Sequence, residues 1–305
     1  MPISYRVDCN LLAFLCFIPL MMLSVSIPSF AAESLPSFSK KLLIVPEAKV
    51  ATGKSLSLSS EGHLAAVWSA PFNLIIWDQN LNTIQRTDRT EGLIESPADI
   101  DFWGQLSLFL CDDWNGAIIQ YNRRLKIVNK ILNTVETGFE PNSLCLDSRG
   151  RIFTVNRADG KVWTVDARLT GTHRNIAQPL SSPLINPQKI RYDSSNDQLV
   201  ILEEHSVAIC KTNGRVIKRI VSEVPDPRAI ACDSNAIWVV GDRLERLPLS
   251  VGGKRLLFPD DSLKTWGVYP VAAVATDGKS KVYLLSETGG RLLELIFSPD
   301  AFRAE

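Results

Sequence analysis

A short phrase recurs along the chain: a turn-forming or small residue, an apolar residue three positions later, a polar turn, then a β-rich run. It reads Gly53-Lys-Ser-Leu56, Pro97-Ala-Asp-Ile100, Pro141-Asn-Ser-Leu144, Pro187-Gln-Lys-Ile190, Pro227-Arg-Ala-Ile230 and Val271-Ala-Ala-Val274. Successive anchors lie 44, 44, 46, 40 and 44 residues apart. An aspartate follows six residues after four of the anchors, as Asp147, Asp193, Asp233 and Asp277. A repeat of this length cannot bury an apolar face alone, so stacked copies must supply one another's core.

Each period reads as four short strands. In the third they are Ser143–Leu146, Ile152–Asn156, Lys161–Val165 and a weaker outer strand near Asn175–Gln178. Asp147-Ser-Arg-Gly150 and Ala158-Asp-Gly160 supply the residues that tight turns require. Period-two alternation marks the strands, and outer ones such as Thr83–Thr87 and Val216–Ile220 are polar, as a solvent edge demands. Four strands per unit, repeated six times, predict an all-β, six-bladed β-propeller of antiparallel blades over residues 41–305. The last repeat has strands at Ala272–Thr276, Val282–Leu285 and Arg291–Phe297 but no fourth. Lys41–Val45 is β-rich and unpartnered in its own repeat, so it is expected to complete the sixth blade and close the ring.

Val155-Asn-Arg-Ala-Asp-Gly-Lys-Val162, preceded by Pro141…Asp147-x-x-Gly150-x-Ile152, resembles the repeat of NHL-type six-bladed propellers. The resemblance runs from about residue 40 to the end and implies the architecture. It implies no single function, because such propellers serve as binding proteins, scaffolds, lactonases and lyases. The first and fifth repeats lack the motif's acidic-and-Asn turn.

Ahead of the repeats, Leu11–Leu23 is an apolar run behind Arg6, followed by Ser29-Phe30-Ala31. This is the form of a secretory signal occupying residues 1–31, with a linker at 32–40 and export to the periplasm or cell exterior. A new terminus at Ala32 is expected, which N-terminal sequencing of exported protein reads directly. The alternative is an uncleaved anchor from Leu11 to Ala31, long enough to span a bilayer but interrupted by Pro19 and Pro28. Over the whole sequence, 33 basic and 33 acidic side chains balance to a net charge of zero, which argues against a nucleic-acid binder. Cys111, Cys145, Cys210 and Cys232 show no C-x-x-C spacing, and the parity of their strands favours buried free thiols over disulfides.

Function in this architecture is expected where the loop entering each first strand meets the loop between the second and third strands. Those loops hold Trp68–Phe72, Asp112, Asp113, Trp114, Asn156, Arg157, Glu203, Glu204, His205, Asp242 and Glu287, with Glu140, Asn142, Asp226, Arg228 and Tyr269 at the entries. Carboxylates outnumber cations in that set, and aromatics stand among them. Such a rim suits a protein, peptide or glycan partner, with Asp112, Asp113, Trp114, Asn156, Arg157, Glu203, Glu204 and His205 as its centre. No cofactor is required. A calcium or other divalent ion would take Asp113 and Glu203 as first ligands, and a cation-dependent hydrolase or lyase is the alternative function. Of the three histidines, His63 maps to the opposite face and His173 to an outer connection, leaving His205 alone. A catalytic triad needs several converging groups, and no phosphate-binding glycine loop is present: Gly252-Gly253-Lys254 opens no helix.

Overall fold

The computed structural model describes residues 35–104, 107–132, 138–166, 178–179, 183–250, 253–298 and 301–302. The leader, His173 and the start of the expected outer strand at Asn175 lie outside the described residues. Six four-stranded antiparallel sheets make a six-bladed β-propeller. The inner strands are Thr52–Leu58, Pro97–Trp103, Pro141–Leu146, Lys189–Asp193, Ala229–Cys232 and Val271–Thr276. One short helix, Ser262–Thr265, and a 3-10 turn at Pro46–Ala48 are the helical segments among the described residues. None is long and apolar enough to cross a membrane.

The recurring anchor has a mechanical meaning. In four blades the inner strand shifts register immediately after it, between Gly53/Ser55, Pro97/Asp99, Pro141/Ser143 and Val271/Ala273. Such a bulge re-aims the residues that follow, and proline is tolerated at a strand's first position because no ladder donor is needed there. The first blade uses glycine because a Cβ at Gly53 would lie 2.3 Å from the Ser286 carbonyl oxygen, across the seam with the last blade. The recurring aspartates brace the turn between first and second strands. Asp147 accepts amide hydrogen bonds from Arg149 and Arg151, and Asp277 from Lys279, Ser280 and Lys281.

The core is distributed between sheets rather than gathered at the centre. Six apolar clusters fill the six seams, as the stacking of amphipathic units requires. Trp68, expected on the rim, is fully buried in the seam between blades 6 and 1, where it meets Trp77 edge-on at 6.0 Å; Phe72 is also buried. The alternation of its strand turns the Trp68 ring inward, while Phe72 folds from the turn into the seam between blades 1 and 2.

Ring closure occurs as expected, three residues earlier than the sequence suggests. The closing strand is Phe38–Ile44, paired residue for residue with Arg291–Phe297. Phe38 sets the start: its ring lies 5.4 Å from Phe297, 5.5 Å from Trp266 and 5.9 Å from Phe258, within the seam between blades 5 and 6. Val45 leaves the strand to donate its N–H to the Gly290 carbonyl. The four cysteines among the described residues are free; Cys111, Cys145 and Cys210 are buried, whereas Cys232 is partly exposed at the end of its strand. Deleting residues 35–44 removes a full ladder and the Phe38 knob. The expected loss is about 5 kcal/mol, or about 10 °C in melting temperature, from hydrogen bonds at about 1 kcal/mol each. Calorimetry checks this, and a deletion melting like the parent contradicts strand closure.

Candidate functional site

Polar side chains on the inner strands meet at the axis. Asp99 of blade 2 is fully buried, and Arg191 of blade 4 reaches it with two hydrogen bonds, Nη1 to Oδ2 at 2.7 Å and Nη2 to Oδ1 at 3.1 Å. Ser55 and Ser143, from the flanking blades 1 and 3, donate their hydroxyls to the same carboxylate. Two residues further along the strand, Asp101 accepts hydrogen bonds from Ser57 Oγ and the amides of Phe102 and Leu146. In blades 1 to 3 the bulge aims the second and fourth residues after the anchor toward neighbouring blades and the axis, whereas Arg191 comes from an inner strand whose register does not shift. The sequence carried the signal as polar residues at those positions: Ser55, Asp99, Ser143 and Lys189, then Ser57, Asp101 and Arg191.

The two aspartates differ in electrostatics. Burial alone would raise Asp99, but Arg191 and Lys189 outweigh it and hold its carboxyl below the usual range. Burial dominates at Asp101 and pushes it up to about 6, against the pull of Arg191 and with a smaller contribution from Asp99. Cavities lie on both sides of this network. One of about 220 Å³ opens on the turn face above Asp101 and Arg191. The other, about 300 Å³, opens on the loop face.

The loop face sorts the eight sequence candidates into two groups. Asp112, Asn156 and Glu203 are buried latches at the ends of second strands. Asp112 accepts the amides of Glu95 and Ser96 from the entry loop and the amide and side chain of Asn115. Asn156 Oδ1 accepts the Glu140 amide, while its Nδ2 donates to the Gly138 carbonyl and to Asp159. Glu203 accepts from the Ile185 amide, Ser206 Oγ and Arg219. Burial alone would raise Glu203, yet these donors hold it below the usual carboxylate range. In each of these three blades a polar residue at the end of the second strand pins the loop arriving from the preceding blade.

Asp113, Trp114, Arg157, Glu204 and His205 form the surface group. Arg157 Nη1 lies 3.1 Å from Asp113 and its Nε 3.1 Å from Glu140, joining blades 2 and 3. Trp114, beside Asp113, is 74% exposed. Glu204 and His205 pair loosely with each other at 3.6 Å on blade 4, with no bond to the Asp113–Arg157 group. Turning the latching acids inward alters the expected charge balance: the axial cavity is lined by Lys54, Arg157, Lys189 and Arg228 against Asp113 and Glu287.

Asp113 and Glu203 do not fit a shared divalent cation. Both Glu203 oxygens are committed to Arg219 and neighbouring donors, and Asp113 faces Arg157. Among the described residues no group of three or more His, Cys, Asp or Glu is placed to hold a metal. Cys–His chemistry has no geometry either: Cys210 is buried in its strand, and burial pushes its thiol up to about 11.

No family model matches the sequence, and no curated protein matches it. The fold is similar to that of a catalytically inactive virginiamycin B lyase from Staphylococcus aureus with quinupristin. That match has a TM-score of 0.61 and 11% identity over 86% of this chain and all of that one. A streptogramin B lyase aligns at TM-score 0.59 and 11% identity, over 86% of this chain and 98% of that one. A protein of unknown function from Bacteroides thetaiotaomicron aligns at 0.57 and 8%, over 86% and 77%. At these identities the likeness establishes the six-bladed propeller and nothing finer.

Asp101 yields a pH signature. Its folded value near 6 lies above the unfolded carboxylate value, so the folded state favours the proton and ionised Asp101 opposes folding. That penalty is absent below about pH 4 and complete above about pH 6, amounting to about 2 kcal/mol at this partly exposed carboxylate. Asp101→Asn should therefore gain about 2 kcal/mol on wild type between pH 4 and pH 7. Chemical denaturation at both pH values measures it; a constant difference contradicts the assignment.

Proposed function

We propose that this chain is an exported, NHL-like, non-enzymatic propeller that binds a protein or peptide partner through its loop face, with a glycan as the other ligand that rim suits. One observation carries the reading. Among the described residues, six large apolar side chains are more than half exposed, and five of them, Ile44, Val50, Trp114, Ile185 and Val221, stand at the loop end of the barrel of blades. Exposed apolar groups concentrated on one face mark interaction surfaces, and tryptophan is the side chain most over-represented among binding hot spots.

The latches give that surface its rigidity. Asp112 holds the Asn115 amide after Trp114, and the Asp113 amide before it bonds the Ser96 carbonyl, so the indole is presented without a large ordering cost on binding. Asp113, Arg157, Glu204 and His205 supply a polar surround of both signs, suited to a peptide's backbone and charged side chains. Export rests on the leader at 1–31, and the balanced net charge favours neither nucleic acid nor membrane as partner.

A cation-dependent hydrolase or lyase is the second reading, favoured by the likeness to virginiamycin B lyase. It fits less well, because Glu203 is latched and His205 stands apart from the other candidates.

Trp114→Ala should abolish retention of a partner from periplasmic or culture-medium extract, losing about 2 kcal/mol or more of binding, while the melting temperature stays within about 2 °C of wild type. A lowered melting temperature with retention intact would make Trp114 a structural cover and remove the anchor of this proposal.

A further inference from the structure

Arg246, on the third strand of blade 5, is the only basic residue among the described residues that is buried outright, at 6% exposure. Other sequestered guanidiniums in this protein are met by carboxylates. Arg191 holds Asp99, and Arg219, Arg228 and Arg255 each grip an acid with the Nε and Nη2 edge, on Glu203, Asp226 and Glu245. Arg246 grips none. Its Nη1 donates to the Lys254 carbonyl at 2.8 Å, and its guanidinium lies 4.4 Å over the Phe302 ring. Its own Nε and Nη2 edge has no partner among the described residues.

That guanidinium lines a cavity of about 260 Å³ on the turn face, between blades 5 and 6. Lys279, Asn235 and Ser250 line it as well, and no hydrogen bond or ion pair occupies their side-chain polar atoms among the described residues. Asp233 is the one carboxylate of the lining. It makes no ion pair with Arg246, accepts the amides of Asn235 and Ala236, and is raised by burial. Lys281, also in the lining, is already paired with Glu294 at 2.8 Å. Desolvation outweighs Asp233 at Arg246, lowering its guanidinium from the ordinary arginine value. A guanidinium this far withdrawn from water, with no carboxylate paired to it among the described residues, is costly for a fold to keep.

We propose that this cavity is an anion site, in which the open Nε and Nη2 edge of Arg246 takes two oxygens of a carboxylate or phosphate group while Lys279 closes over the rim. The planar fork of arginine matches both groups in two-pronged fashion, and an ammonium does not reproduce it. Phe302 stacks on one face of the guanidinium and holds that fork toward the cavity. The site lies on the face opposite Trp114, so it stands independently of the loop-face partner.

Titration of the full-length protein with inorganic phosphate, and separately with citrate, at constant ionic strength tests it by calorimetry and thermal melting. At least one anion should bind saturably and raise the melting temperature; the stronger identifies the ligand as phosphorylated or carboxylated. Arg246→Lys should weaken that binding about tenfold, because the two-pronged contact is lost. Lys279→Gln, a change on an exposed turn that leaves folding intact, should weaken it about threefold by removing the rim charge. Lys41→Gln, on the closing strand, should bind as wild type. Absence of binding by wild type overturns the proposal, as does unchanged affinity in Lys279→Gln together with Arg246→Lys. Should Arg246→Lys fail to fold, Lys279→Gln decides alone.

Discussion

Arg191 leaves blade 4, passes the inner strand of blade 3 and closes on Asp99 of blade 2 with two hydrogen bonds, while Ser55 and Ser143 approach the same carboxylate from either side. Four of the six blades thereby share one buried anion. Neither ion is tolerable alone in that place: a buried pair is a weak source of net stability, yet removing either partner strands a charge at a cost of about 3–5 kcal/mol. The pair therefore specifies more than it stabilises. It fixes how blades 1 to 4 are set against one another on their axial side. The six seams, filled by apolar clusters, supply the bulk of the cohesion.

The loop face repeats the same logic at its edge. Each latch satisfies backbone amides that would otherwise be buried without partners, and a loop pinned in this way is a platform rather than a tether. This accounts for an apparent paradox of the rim. Its most acidic-looking loops are not its most acidic surface, because Asp112 and Glu203 point inward to hold the chain. What remains outside is Trp114 with a mixed set of charges, and the axial cavity within the rim carries more cations than acids.

Architecture was legible in the sequence because it depends on spacing. The anchors mark bulges and the recurring aspartates mark turns, so blade number and strand order follow from their positions alone. Ring closure was legible for the same reason, with an error of three residues at its start, because Phe38 packs through tertiary contacts that a β-rich pentapeptide does not reveal. The site was less legible. Asp112, Asn156 and Glu203 look identical to exposed loop acids and amides until the preceding loop is folded against them. Trp68 was placed on the rim by its nearness to a turn, whereas strand alternation turns it into a seam. The axial network was readable in principle, as polar residues at fixed offsets from the anchors. Arg246 was not, since nothing in its neighbourhood of the chain signals that no carboxylate among the described residues pairs with it.

The most direct test of this account is a double-mutant cycle across the axis, with Asp99→Asn, Arg191→Met and the pair combined, read by chemical denaturation at pH 7. If the buried bond sets the centre of the ring, each single change costs about 3–5 kcal/mol and the double costs less than their sum by about 2 kcal/mol or more. Single changes that are nearly neutral, or costs that simply add, would contradict a centre organised around Asp99 and Arg191.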